Sequence, residues 1–181
     1  LESFAGFRIA MDREQFVQCV NEHKLAVIGQ TARLAPADGQ LYALRDVTAT
    51  VDSIPLIASS IISKKIAVGA DALVLDVKVG NGAFMEDIDD AFALARLMVE
   101  IGEKLGRRTV ALVTAMDRPL GRAVGNVLEV REAIEVLRGG GPEDLRELCL
   151  ELGGRMLVLA EAESELATAK SRLEALIDSG A

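Results

Sequence analysis

Two apolar runs, "ADALVLDVKVG" (70–80) and "RTVALVTAM" (108–116), flank the segment "DIDDAFALARLMVEIGEKLG" (87–106). No other feature constrains the fold as strongly. Both runs are nearly continuous in β-branched and aliphatic residues instead of alternating, the mark of strands covered on both faces. The segment between them repeats apolar residues at three and four, begins with acidic residues and stops at Gly106, which predicts a helix. Strand, helix and strand in that order predict a parallel, right-handed βαβ unit. The fold class is therefore α/β.

The other segments extend this frame. "DREQFVQCVNEH" (12–23) has helical spacing, with Phe16, Val17 and Val20 on one side. "KLAVIGQT" (24–31) reads as a short strand stopped by Gly29, so the expected mixed sheet contains strands 24–29, 71–79 and 108–115. "RLAPADGQ" (33–40) reads as a connector with Pro36, Asp38 and Gly39 as breakers. A helix is expected over 55–66, with Pro55 in its first turn and Asp52 or Ser53 as cap. After a loop at 117–125 come helices at 126–139, 143–160 and 161–178. The expected organisation is residues 1–30 in an α/β domain, 37–67 in a small helical domain, and 71–181 in the α/β domain again. The crossings after Gln30 and near Ala70 make "RLAPADG" and "VGAD" hinge candidates. Because the chain opens on Leu1 and closes on an unpaired amphipathic helix, an internal fragment, incomplete at both ends, is expected.

Charge narrows the function. Lys and Arg total 20 against 28 Asp and Glu, a formal charge of −8. Binding to nucleic acid or an anionic membrane needs an excess of cations, so neither is expected as a partner. No apolar run approaches the roughly 20 residues of a membrane span. Cys19 and Cys149 lack metal-ligand spacing and read as buried, reduced thiols, which fits a cytoplasmic protein. His23, the sole histidine, falls at a helix end, where exposure or a contact with the helix terminus is expected. Histidine-dependent catalysis has little to work with here.

The chemistry concentrates in "LYALRDVTATVDSIPLIASSIISKK" (41–65). Ser60 and Lys64 are four apart on the expected helix and so share one face, and Ser59 and Ser63 repeat the spacing beside them. A hydroxyl next to an ammonium suits a ligand offering a carbonyl and an N–H, such as a uracil ring, and Arg45 is placed to return over the same pocket. The same pattern also fits a solvated polar face with lysines at the helix C-terminus. "VKVGNGAFM" (77–85) is not a dinucleotide fingerprint, because Met85 stands where the third glycine belongs. Gly80 and Gly82 read instead as a tight turn at a strand's C-terminal end, the edge where α/β sheets bind ligands. Asp76 and Lys78 share a strand face and are expected to pair. Asn126 and Glu129 have capping-box spacing. Glu132, one turn on, faces the loop 117–125, where its carboxylate and loop carbonyls suit a cation or where it is simply solvated.

Taken together, "IGQTARLAPADGQLYALRDVTATVDSIPLIASSIISKK", "DALVLDVKVGNGAFM" and "AVGNVLEVREAI" closely resemble the pyrimidine-nucleoside phosphorylase and thymidine phosphorylase family, over essentially all of the chain. The resemblance implies a small helical domain hinged to an α/β domain, with the active site between them. It implies reversible phosphorolysis of uridine, thymidine or deoxyuridine to free base and (deoxy)ribose 1-phosphate, in a cytoplasmic homodimer. By motif position, Arg45 and Lys64 correspond to the contacts to the pyrimidine carbonyls and Ser60 to the ring N–H contact. Val51, Ile57 and Phe84 correspond to the apolar wall around the base. The family's monovalent cation, usually potassium (K+), maps onto the Leu120 and Ala123 carbonyls and the Glu132 carboxylate. The family's phosphate-binding segments lie upstream of Leu1, so no catalytic residue is assigned here and the fragment is expected to be inactive. An AMP phosphorylase-type enzyme and a non-catalytic dimerisation module are the alternatives.

Overall fold

The strand–helix–strand unit forms in the computed structural model, which describes residues 1–29 and 34–180. In chain order the elements are α1 Arg13–His23, α2 Pro36–Thr48, α3 Ile54–Ala67, β1 Ala72–Val79, α4 Ile88–Lys104, β2 Arg108–Ala115, α5 Asn126–Leu137, α6 Glu143–Leu159 and α7 Leu166–Ser179. β1 and β2 pair in parallel, from Ala72 opposite Arg108 to Val79 opposite Ala115. α4 returns the chain between them, as a parallel connection requires. Its start is capped by Asp87, whose carboxylate accepts the Asp89 (2.7 Å) and Asp90 (3.4 Å) amides.

The core follows from the periodicities. Leu73, Leu75 and Val77 alternate onto one face of β1, and Ala91, Leu94, Ala95 and Met98 form the facing stripe of α4. Ile57, Ala58 and Ile62 of α3 join the same cluster, and α3 packs chiefly against α4 rather than across the strands. Burying a side chain such as Leu94 or Met98 contributes about 1.5–3 kcal/mol, so this cluster fixes where α3 sits. The residues of the expected helical domain thus share a core with β1 and α4.

Several expectations need correction. Among the described residues the sheet has two strands, and 24–29 pairs with neither. Among the described residues, backbone bonds tie that stretch elsewhere from the Lys24 N–H to the Val20 carbonyl (2.9 Å) and from the Gly29 N–H to the Ile9 carbonyl (2.9 Å), and Leu25 is 68% exposed. An apolar run becomes a strand only where another strand offers it an edge, and none does among the described residues. The end of that run and the crossing after Gln30 lie outside the described residues, as does Arg33 of the first hinge candidate. The expected connector is instead the start of α2. Pro36 takes the first helical position, where a missing N–H costs nothing, and Asp38 stands in the first turn, where the helix dipole favours a carboxylate. α7 begins at Leu166 and not at 161, because Glu161 adopts a left-handed φ of 58° that ends the preceding helix. Ser53 is the residue before α3, but its side chain makes no capping bond. Gly125, not Asn126, precedes α5, and Glu129 accepts the Gly125 amide (2.9 Å) instead of forming the expected box with Asn126. Cys19 and Cys149 are free thiols, yet neither is buried. His23 ends α1 and is exposed.

Candidate functional site

Ser60 and Lys64 lie one turn apart on α3, and the helix brings the Lys64 Nζ within 2.7 Å of the Ser60 Oγ. The neighbouring serines bond back into the helix: Ser59 donates to the Leu56 carbonyl (3.3 Å) and Ser63 to the Ser60 carbonyl (3.1 Å). Ser60 is therefore the hydroxyl tied to the lysine. The second partner of Lys64 comes from α2, where Asp38 Oδ2 also lies 2.7 Å from Nζ. Both partners are well covered, Asp38 at 8% and Ser60 at 6% exposure. Burial pushes the Asp38 carboxyl upward. The hydrogen bond from Lys64, the neighbouring Ser60 hydroxyl and the charges of Lys64 and Arg45 together outweigh it, so the carboxyl titrates below its ordinary range.

Arg45 lies two turns after Asp38 on α2 and is 6% exposed. Its guanidinium donates to the Val51 carbonyl, crossing the turn between α2 and α3, and lies 5.2 Å from the Tyr42 ring centre. Its Nε is buried and has no hydrogen-bond partner among the described residues. A buried guanidinium N–H without a partner costs free energy unless something else accepts from it. Asp38, Arg45, Ser60 and Lys64 therefore form one constellation at the α2–α3 corner: two cations, a hydroxyl and an anchoring carboxylate.

Other predicted site residues stand differently. Val51 borders the constellation through its carbonyl, and its side chain is half-buried. Ile57 belongs to the hydrophobic core. Phe84 is 70% exposed on the loop after β1, so little of the protein covers it. That loop is pinned across the strand ends: Gly80 donates to the Met85 carbonyl (3.0 Å) and Gly82 to the Met116 carbonyl (2.9 Å). A Cβ at Gly82 would stand 2.7 Å from the Met116 carbonyl oxygen, so this close approach of two backbones requires glycine. Asp76 and Lys78 pair at 2.7 Å, and Thr114 on β2 bonds to both. The cavities along α1 (Arg8, Gln15, Glu22, His23) and between α4 and β2 (Phe92, Val99, Ala111, Val113) are lined by none of the constellation.

Glu132 reaches the loop 117–125, but through different groups from those expected. Its two carboxylate oxygens accept the Arg122 amide at 3.0 and 3.2 Å and the Ala123 amide at 3.1 and 3.2 Å. Gly121, at φ 75°, leaves the space this needs, since a Cβ there would fall 2.3 Å from Glu132 Oε2. Among the described residues neither the Leu120 nor the Ala123 carbonyl accepts a hydrogen bond. Also among them, no group of three or more His, Cys, Asp or Glu side chains is placed to hold a metal, and no helix is long and apolar enough to cross a membrane.

The residue the sequence reading missed is Asp38, taken for a loop breaker. Its signal was present: Asp38 and Arg45 are seven apart, which puts them on one face once 36–48 is helical.

Against known proteins, residues 1–181 match the family described as "Glycosyl transferase family, a/b domain". The chain is 58% identical over 180 residues to a pyrimidine-nucleoside phosphorylase of Geobacillus stearothermophilus, covering 99% of this chain and 42% of that protein. The same identity is found over 181 residues with one from Staphylococcus aureus, covering 100% of this chain and 42% of that protein. A relative of the same name from Staphylococcus haemolyticus is 58% identical over 180 residues. The chain thus spans less than half the length of these curated relatives.

Proposed function

Because the chain belongs to the glycosyl transferase family, a/b domain, we propose that it forms the base-holding and cation-holding part of a pyrimidine-nucleoside phosphorylase. In this reading a phosphate oxygen attacks C1′ of uridine, thymidine or deoxyuridine. The C1′–N1 bond breaks, its electron pair passes to the base, and the products are free base and (deoxy)ribose 1-phosphate. The observation that carries the reading is the α2–α3 constellation, in which Lys64 is held at 2.7 Å from both Asp38 and Ser60 beside the buried Arg45. As the base leaves, negative charge collects on its oxygens. Cations fixed in advance lower that barrier without having to reorganise. Arg45 and Lys64 are the proposed carbonyl contacts and Ser60 the N–H contact, with Val51, Ile57 and Phe84 assigned to the apolar wall. Phosphate contacts are assigned outside residues 1–181, so the isolated segment is expected not to turn over.

The cation, potassium in this reading, would be held by the Leu120 and Ala123 carbonyls and the Glu132 carboxylate. The donor set fits a large monovalent ion: two neutral oxygens free of other bonds among the described residues, and one carboxylate already held at the loop. When bound it would supply positive charge that braces loop 117–125 against α5. Homodimer assembly and a cytoplasmic location belong to the same reading. An exposed apolar stripe on α2, Leu41, Leu44 and Val47, favours assembly.

The test is kinetic. Arg45→Ala and Lys64→Ala, made in the full-length protein, are each expected to lower kcat/KM for uridine phosphorolysis by two to three orders of magnitude, about 3–4 kcal/mol. Ser60→Ala should cost roughly 0.5–1.5 kcal/mol. Near wild-type turnover by either cation variant would remove the base-holding role.

A further inference from the structure

A lysine carries its charge on a flexible four-carbon stem that does not aim it. Here two oxygens on different helices hold the ammonium. The Lys64 Nζ is 2.7 Å from Ser60 Oγ, one turn back on α3, and 2.7 Å from Asp38 Oδ2 on α2. An ammonium has three hydrogens and no lone pair, so both oxygens accept from it and one hydrogen remains. Among the described residues no acceptor meets that third hydrogen. With the Ser60 bond alone, Nζ could turn about the line to Oγ and the remaining hydrogens would sweep a cone. The bond to a second helix stops that rotation and leaves the last N–H one direction. Asp38 is itself well fixed, being 8% exposed in the first turn of α2. A separate observation points to a ligand at this corner. Arg45, on the same helix and 6% exposed, has a buried Nε with no partner among the described residues.

We propose that Asp38 is a positioning residue for the reaction: it does not touch the base, and it acts by holding the Lys64 ammonium so that the third N–H is aimed at a pyrimidine oxygen. This rests on the base-holding reading above and adds a residue to which that reading gives no part. The contact exists before substrate arrives, so the cation need not swing into place as charge develops on the departing base. The effect of Asp38 on the rate therefore travels through Lys64 and through nothing else.

The experiment is a double-mutant cycle on uridine phosphorolysis by the full-length protein, using wild type, Asp38→Ala, Asp38→Asn, Lys64→Ala and the Asp38→Ala, Lys64→Ala pair. Asp38→Ala is expected to lower kcat/KM by about tenfold to a hundredfold, the scale of a misplaced contact group. Most of that loss should fall on kcat, because the charge that Lys64 meets develops only as the base leaves. Asp38→Asn keeps a neutral acceptor at the same reach and should recover part of it. In the Lys64→Ala background, Asp38→Ala should cost nothing further, since an effect carried by the ammonium ends with it. A merely structural Asp38 would lower activity by the same factor in both backgrounds, and that result overturns the proposal. So does wild-type turnover by Asp38→Ala while Lys64→Ala is impaired. Wild-type turnover by Lys64→Ala is a different failure: it overturns the base-holding reading, and the proposal with it. Should the Asp38 variants fail to fold, a crystal structure of the wild type with uracil decides. The proposal requires Lys64 Nζ within hydrogen-bond reach of Asp38 Oδ2 and of a uracil oxygen at once; a lysine that leaves Asp38 to reach the base overturns it.

Discussion

Glu132→Ala should loosen the loop 117–125 and cost the fold a measurable share of its stability. The Glu132 carboxylate is 9% exposed and accepts two backbone amides, Arg122 and Ala123, through contacts of 3.0–3.2 Å. A hydrogen bond to a charged group contributes about 1.5–3 kcal/mol net. Two of them would give about twice that, less what water recovers at amides that border solvent, so about 3 kcal/mol is expected. For a chain of this length that corresponds to a Tm lower by about 6–12 °C. Glu132→Gln keeps one acceptor oxygen but turns an NH2 toward an amide, and should fall between wild type and alanine. With one tyrosine and no tryptophan in the sequence, far-UV circular dichroism is the practical probe of unfolding. Amide exchange gives the local readout, with Arg122 and Ala123 protected in wild type and fast in Glu132→Ala. A Tm within 2 °C of wild type (about 0.5–1 kcal/mol), with those two amides still protected, would refute the view that this carboxylate anchors the loop.

Two further outcomes follow from the same geometry. Gly82→Ala places a methyl 2.7 Å from the Met116 carbonyl oxygen and should cost about 1–3 kcal/mol in denaturant titration; a neutral result would mean the loop shifts freely. Glu151 accepts from Lys170 (2.9 Å) and Arg155 (2.7 and 2.9 Å), and those bonds hold its carboxyl below its ordinary value of 4.5. A carboxyl lowered on folding stabilises above its unfolded value, and that stability is lost as pH falls through the lowered one. The stability gap between wild type and Glu151→Gln should therefore be flat near neutrality and shrink below pH 4.5; a gap constant into acid would contradict the pairing.

The βαβ unit was legible because the β1 and β2 runs and the α4 stripe differ in period, and period is a property of the chain itself. The Ser60–Lys64 contact was legible for the same reason, four residues being one helical turn. What escaped was whatever depends on a partner distant in sequence. The run 24–29 has strand composition, but pairing needs an edge, and sequence composition does not reveal edges. Asp38 looked like a breaker beside Pro36 and Gly39, and only the helix that those residues open places it over Lys64. Glu132 was traced to the right loop, yet whether a loop turns its carbonyls or its amides inward is decided by φ at positions such as Gly121.

The most direct test is the position of uracil bound to the full-length protein, read from a crystal structure with the free base. The α2–α3 account predicts the ring at the corner of those helices, with its N–H on the Ser60 Oγ and a carbonyl oxygen on the Lys64 Nζ, both at about 2.7–3.2 Å. Uracil ordered elsewhere, with Lys64 still engaged only by Asp38 and Ser60, would contradict it.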